Sequence, residues 1–182
     1  MLDQPVIRRF LRPGDLGAIV AHHGSVYARE YAVDETFEAG VALTVGTAGG
    51  RGFPRSNEGI WIVELDGRHA GSLALTDEGD GLAAIRWVLL DAGLRGRGLG
   101  RRLIGEAIAK AREAGYAVIG LETFSELCAA GHLYRAHGFE VQWAKPGPRW
   151  GRDELTYQRY ELDLRAEPMQ QSERGPLSAS IT

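Results

Sequence analysis

Apolar positions recur at helical spacing in some stretches of the chain and alternate with polar ones in others. Leu99, Leu103, Ile104, Ala107, Ile108 and Ala111 fall on one face of a helix, while Arg101, Arg102, Glu106, Lys110 and Glu113 lie largely elsewhere. Gly115 stands where a glycine would stop that helix. Ahead of it, residues 82–90 form an apolar run that reads as a buried strand. Residues 6–11 read as a first strand, and Arg12-Pro13-Gly14-Asp15 as a turn with Asp15 as N-cap of a helix over 16–31. Asp34 caps a second helix to about residue 44, and the Gly-, Pro- and Ser-rich residues 46–57 read as a loop. Strands follow at 58–65 and 68–76, joined through Asp66-Gly67, and a second hairpin at 77–81 leads into the 82–90 run. After the amphipathic helix come a strand at 117–122, a helix capped by Ser125 and ending near His137-Gly138, and a strand at 139–143. A loop opens at Lys145-Pro146-Gly147-Pro148, and a last strand spans 154–164.

This pattern predicts one α/β domain over residues 1–164, with three consecutive antiparallel strands and then a strand–helix–strand crossover that makes one pair parallel. Residues 165–182 are polar, with no periodic apolar face, and are expected to be a disordered tail. A chain of 182 residues suits such a domain and its core. No apolar run approaches the ~20 residues that cross a bilayer, and residues 1–10 lack the apolar centre of a signal peptide. The lone Cys128 excludes an internal disulfide framework and fits a reducing cytoplasm. Arginine far outnumbers lysine in an Ala- and Gly-rich chain, a composition typical of GC-rich bacterial genomes.

The formal charge of −3 argues against a protein that coats nucleic acid, yet four arginines crowd the stretch Leu94-Arg95-Gly96-Arg97-Gly98-Leu99-Gly100-Arg101-Arg102. Strand, glycine-arginine turn and helix follow in that order. Glycines let backbone approach a ligand, and free N–H groups at a helix start attract anions. The stretch therefore reads as a phosphate or pyrophosphate cradle; a glycine turn with a solvated arginine face is the alternative. It is not a Walker loop, having no Gly-Lys-Ser/Thr, and counted from Gly96 the sixth position of a dinucleotide fingerprint is Arg101. The five histidines and one cysteine show no zinc-ligand spacing, so no metal is expected.

Arg95-Gly96-Arg97-Gly98-Leu99-Gly100 resembles the acetyl-coenzyme A signature Q/R-x-x-G-x-G/A of the GNAT acetyltransferase superfamily. Ala129-Ala130 followed by Leu133-Tyr134-Arg135-Ala136-His137-Gly138-Phe139 is similar to a second family segment at the expected distance. His23–Tyr31 with Asp34-Glu35-Thr36-Phe37-Glu38 resembles, more closely, the acetyltransferase half of proteins that fuse such a domain to a MarR-type winged helix. The resemblance implies a central, mostly antiparallel sheet with one splayed parallel pair, flanked by helices. It implies an acetyl-CoA-dependent N-acyltransferase acting on a primary amine of a small molecule or peptide, with no metal, nucleic-acid or membrane partner. A homodimer through the late strands is one option it leaves open, and a non-catalytic acyl-CoA binding or sensing module is the alternative function.

Residue by residue, the resemblance puts Arg97, Gly98, Gly100 and Arg101 at the pyrophosphate, with added charge from Arg95 and Arg102, and gives Val88 and Leu90 main-chain contacts to pantetheine. It puts Tyr134 at the leaving thiolate, with a satisfied core tyrosine as the alternative. An amine with a pKa of about 10.4 must lose a proton before it attacks; Glu122, His22 or His23, or a water chain, are the candidate routes. The wall of the acceptor pocket is expected to carry His22, His23, Tyr27 and Tyr31. One departure stands out: Phe124 occupies the place where family members often carry Asn.

Overall fold

The computed structural model describes residues 4–165. In chain order these form β1 (Val6–Arg8), α1 (Asp15–Tyr31), α2 (Glu35–Gly50), β2 (Gly59–Leu65), β3 (Arg68–Gly79), β4 (Leu82–Leu90), a 3₁₀ turn (Ala92–Leu94), α3 (Leu99–Glu113), β5 (Val118–Phe124), α4 (Cys128–Ala136), β6 (Glu140–Arg149) and β7 (Arg152–Asp163). The seven strands make one sheet in the order β1-β2-β3-β4-β5-β7-β6, antiparallel throughout except for β4 against β5. Of the expected tail, all but Arg165 lies outside the described residues.

Side-chain alternation builds a layer on each face. In β2, Trp61 and Val63 pack with Leu103, Ile104 and Ala107 of α3, while Ile60 and Ile62 pack with Ile19 of α1 and Val45 of α2. In β4, Ala83 and Ile85 face α3, but Trp87 and Leu89 face α1 and α2. A bulge explains the switch. Ser72 pairs with Leu89 and Ala74 with Arg86, so two residues of β4 oppose Leu73, and Trp87 takes a left-handed φ of 51°. One extra residue flips every later side chain to the other face.

Three hairpins close through turns whose two central residues are both left-handed: Asp66-Gly67, Asp80-Gly81 and Trp150-Gly151. Asp66-Gly67 follows the sequence pattern; the last does not. Residues 145–148 are strand rather than loop, because β6 is an edge of the sheet and an edge strand tolerates Pro146. The α2 helix runs on to Gly50 through residues read as loop, since buried Val45 and Ala48 anchor it to the sheet. Gly14, at φ 98°, is the N-cap of α1, and Asp15 is the helix's first residue; its carboxylate is taken by buried Arg8 at 2.7 and 2.9 Å. Leu127, not Ser125, precedes α4, with no side-chain cap.

The loop between α2 and β2 is tied down by Glu58, whose side chain is fully buried. It accepts from the backbone N–H of Asp77 (3.0 Å) and Arg55 (2.9 Å) and pairs with Arg51 (2.9 Å) and Arg55 (3.2 Å). Burial alone would raise its pKa, but those N–H groups and guanidinium groups outweigh it and hold the carboxyl below its ordinary value. Glu58→Gln is therefore expected to cost about 2 kcal/mol at neutral pH, as a buried charged acceptor is lost. The depressed folded pKa makes this loss complete above the ordinary value of 4.5 and smaller as pH falls through the folded value. Urea unfolding of both proteins at neutral and acid pH measures the difference.

Candidate active site

Strands β4 and β5 pair at only three positions, Leu82–Val118, Ala83–Ile119 and Ala84–Gly120. Beyond Ala84 and Gly120 they diverge. The inner edges of Ile85–Leu90 and Leu121–Phe124 then have no strand partner, whereas their outer edges are held by β3 and β7. Such a slot offers backbone donors and acceptors to an extended ligand, as a free sheet edge does to a peptide. Leu90's carbonyl is already taken by Arg95 Nε at 2.8 Å.

The slot opens onto the start of α3. The 3₁₀ turn is pinned by Leu94, which is buried; Gly96 (φ 73°) and Gly98 (φ 79°) then turn the chain into the helix. Gly98 is the N-cap and supplies no side-chain acceptor, so the first N–H groups of α3 have no cap. Nothing lies within 4 Å of where a Cβ would stand on Gly96 or Gly98, whereas at Gly100 it would meet Leu133 of α4 at 3.2 Å. The four arginines divide. Arg97 and Arg101 are exposed and make no ion pair among the described residues, Arg102 pairs with Glu106 at 2.9 Å, and Arg95 pairs with Glu30 of α1 at 2.7 Å.

On the α1–α2 side of the slot lies a cavity of about 130 Å³, whose polar lining comes from Thr44, Arg86, Trp87, Glu122, Tyr157 and Arg159. The bulge puts Arg86 and Trp87, neighbours in sequence, on this same wall. Trp87 Nε1 donates to Thr44 Oγ1 at 3.0 Å. Tyr157 donates its hydroxyl to Glu122 at 2.5 Å, and Arg159 stands 3.6 Å from the other Glu122 oxygen. Gly120 makes room for that guanidinium: a Cβ there would lie 2.2 Å from Arg159 Nη2. Burial and the Glu122 hydrogen bond push the Tyr157 phenol pKa up, so it keeps its proton and acts as a donor. A larger, open cavity of about 560 Å³ lies past the end of β5, between Glu126 and the β6–β7 hairpin; it touches no residue of the slot.

Of the residues expected from sequence, Glu122 lines the smaller cavity, and Val88, Leu90, Gly98, Gly100, Arg97 and Arg101 surround the slot and cradle. Tyr134 is buried on the α3–α4 face, with its ring against Phe139 and Tyr160. Burial raises its pKa, so it too stays protonated. The other four lie elsewhere. His22 Nε2 meets Asp91 at 2.8 Å; His23 Nδ1 meets the Ile19 carbonyl at 2.8 Å. Burial pushes the His23 pKa down to about 4, which leaves it neutral and a poor base for an amine. Tyr27 is stacked on Phe37 at 4.5 Å, and Tyr31 meets Phe124 edge-on at 5.3 Å. None of these four lines the cavity: Tyr27 and Tyr31 pack on Phe124, His23 stacks on Tyr27, and His22 meets the loop after β4.

Among the described residues, no group of three or more His, Cys, Asp or Glu is placed to hold a metal ion, and no helix is long and apolar enough to cross a membrane. The pairing of an uncapped, glycine-led helix with a splayed parallel pair has a counterpart in known proteins. The profile of the acetyltransferase (GNAT) family matches residues 25–139, from within α1 to the residue before β6. The chain belongs to the GNAT acetyltransferase family. Within reach of this GNAT chain, L-amino acid N-acyltransferase MnaT of Escherichia coli (strain K12) is 29% identical over 170 residues, which cover 88% of this chain and 96% of that one. The structure of yncA from Salmonella typhimurium, with its cofactor acetyl-CoA, matches with a TM-score of 0.67 at 21% identity, over 93% of this chain and 99% of that one. An N-acetyltransferase from Staphylococcus aureus Mu50 matches with a TM-score of 0.68 at 20% identity, over 88% and 98%. The likeness of α1 and α2 to winged-helix fusion proteins finds no support. This single-domain chain spans nearly the whole length of those relatives, leaving no room in them for a second domain.

Phe124, where the resemblance leads to the expectation of Asn, is buried and packs with Tyr27, Tyr31 and Trp150. Phe124→Asn would install the expected residue in an apolar nest. We expect it to destabilise the fold by about 3–5 kcal/mol, as truncation of a core aromatic does. Denaturant unfolding checks this; unchanged stability would mean that the nest accommodates a polar side chain.

Proposed function

We propose that this protein is an N-acyltransferase that moves an acetyl group from acetyl-CoA to the primary amine of a small molecule, with free amino acids the favoured acceptor class. The observation that carries this reading is the continuous path from the uncapped start of α3, through the unpaired edges of β4 and β5, to the cavity at Glu122. The bound acetyl-CoA of the Salmonella structure and the amino-acid acceptor in the name of the Escherichia coli relative support it.

The residues fit the co-substrate. The backbone of Arg97, Gly98, Gly100 and Arg101 and the free Arg97 and Arg101 guanidinium groups would hold the pyrophosphate. Arg102 adds charge beside them. The free edge of β4 at Val88 and the remaining backbone groups of Leu90 would hold the pantetheine. When bound, acetyl-CoA supplies a thioester carbonyl open to attack by an amine. The chain's own residues do the rest. Glu122 takes a proton from the incoming ammonium, freeing the amine lone pair for attack, and passes that proton to bulk water, to which its side chain is 42% exposed. Arg86 and Arg159 stand on the same wall, Arg86 paired with Glu78 and Arg159 with Glu122 and Glu161, so an acceptor's carboxylate would have to compete with these pairs. Tyr134 holds its proton and donates a hydrogen bond to sulfur as negative charge grows there.

Acetyl-CoA with a panel of amino acids, polyamines and peptides tests the reading through release of free thiol. Acceptor-dependent release is expected, and strongest with amino acids. Release with no acceptor of the panel, despite tight acetyl-CoA binding, would favour a binding or sensing module instead. Gly98→Glu places a carboxylate where the pyrophosphate would sit and is expected to remove acetyl-CoA binding in a calorimetric titration. Tyr134→Phe is expected to lower kcat by at least tenfold, with acetyl-CoA affinity within twofold; equal turnover would return Tyr134 to a packing role.

A further inference from the structure

Arg95 stands first in the signature, yet its guanidinium turns away from the start of α3. Nη1 and Nη2 reach the two carboxylate oxygens of Glu30 at 2.7 and 3.1 Å, and Nε donates to the Leu90 carbonyl at 2.8 Å. Such a two-pronged pair is directional as well as strong. Arg95 holds the Glu30 carboxyl below its ordinary pKa. Eight residues earlier on α1, just over two turns and so on nearly the same face, His22 contacts Asp91 at 2.8 Å. Asp91 opens the loop: its N–H donates to Ala70 and its carbonyl accepts from Leu94. Helix α1 thus grips both ends of the segment between β4 and the glycines.

The glycines themselves have no such grip. A side chain on Gly96 or Gly98 would meet nothing within 4 Å, so no packing at these positions fixes where the N–H groups of α3's first turn stand relative to the slot. On the α3 side that placement is set by the packing of Leu99 and Gly100, and on the loop side by buried Leu94 and by Arg95. Leu94 is held by the core it shares with Leu103 and Ile104 of α3, and Arg95 adds a polar tie to α1.

We propose that Glu30 is a positioning residue for acyl-CoA binding: by holding Arg95 it fixes the cradle loop in its anion-accepting geometry. The proposal rests on the acyltransferase reading for its ligand, but the clamp itself is a property of the free protein. It assigns Arg95 a scaffold role rather than a phosphate contact.

Two readouts separate these levels. In the ligand-free protein, hydrogen–deuterium exchange across residues 95–102 is expected to rise at least fivefold in Glu30→Gln. The charge-swapped pair Glu30→Arg with Arg95→Glu should reverse part of that rise. Unchanged exchange in Glu30→Gln overturns the clamp, whether or not the protein binds acyl-CoA. With CoA as the titrant, Glu30→Gln is expected to weaken binding about tenfold while kcat at saturating substrate stays within about twofold, and the swapped pair should recover part of the affinity. Tighter CoA binding by Glu30→Gln would show that a released Arg95 reaches phosphate, and would also overturn the proposal. No CoA binding by the unsubstituted protein, with the exchange result intact, would strike the acyltransferase reading and leave the clamp standing.

Discussion

The parallel pairing of β4 with β5 stops after three residues, and most of what is distinctive in this molecule follows from that stop. Two strands that continued in register would consume each other's backbone groups. Here their inner edges face a gap, a hazard that proteins tolerate when the edge is shielded or used. The bulge at Trp87 turns β4 at the place where pairing ends. Gly120, the last paired residue of β5, leaves space that Arg159 fills from β7. Buried aromatic rings from α1, α2 and β5 pack behind the slot on one face, and Tyr134 stands on the other. The gap is thus walled by side chains and left open to ligand at its end.

Charge is distributed to match. Most arginines near the site are spent on structure: Arg8 on Asp15 and Glu64, Arg95 on Glu30, Arg102 on Glu106, Arg159 on Glu122 and Glu161. Among the described residues, Arg97 and Arg101 are left without carboxylate partners beside an uncapped helix start. In a chain with a net charge of −3, that local surplus concentrates positive charge at the start of α3 without making the whole surface basic. The same helix, α1, supports both halves of the site. Its aromatic face packs on Phe124 of β5, while Glu30 and His22 touch the loop that leads into α3.

The sheet, its crossover and the glycine turn into α3 were legible in the chain because local patterns carry them: alternation, Asp-Gly turns, and a glycine-arginine stretch between strand and helix. The long reach of α2 and the strand through Pro146 were not, since tertiary packing and an edge position override the local signal there. The cavity was legible only at Glu122. Arg86 and Trp87 share a wall through a bulge, and no sequence period announces a bulge. Tyr157 and Arg159 reach Glu122 through the pairing of β7 with β5, a long-range register that single-sequence patterns do not contain. His22, His23, Tyr27 and Tyr31 have the polarity of site residues. They sit instead where α1 packs on the cradle loop, on itself and on Phe124, a choice made by helix rotation rather than by residue type.

Thermal unfolding with and without acetyl-CoA, with free adenosine nucleotides as controls, tests the central claim most directly. A ligand at 100 times its dissociation constant stabilises the fold by about 2.7 kcal/mol, enough to raise the midpoint by several degrees. The slot and cradle acting together predict such a rise with acetyl-CoA and a much smaller one with the nucleotides, which lack the pantetheine that β4 would hold. Equal shifts for both would confine recognition to the cradle, and no shift at saturating acetyl-CoA would contradict the slot as a binding site.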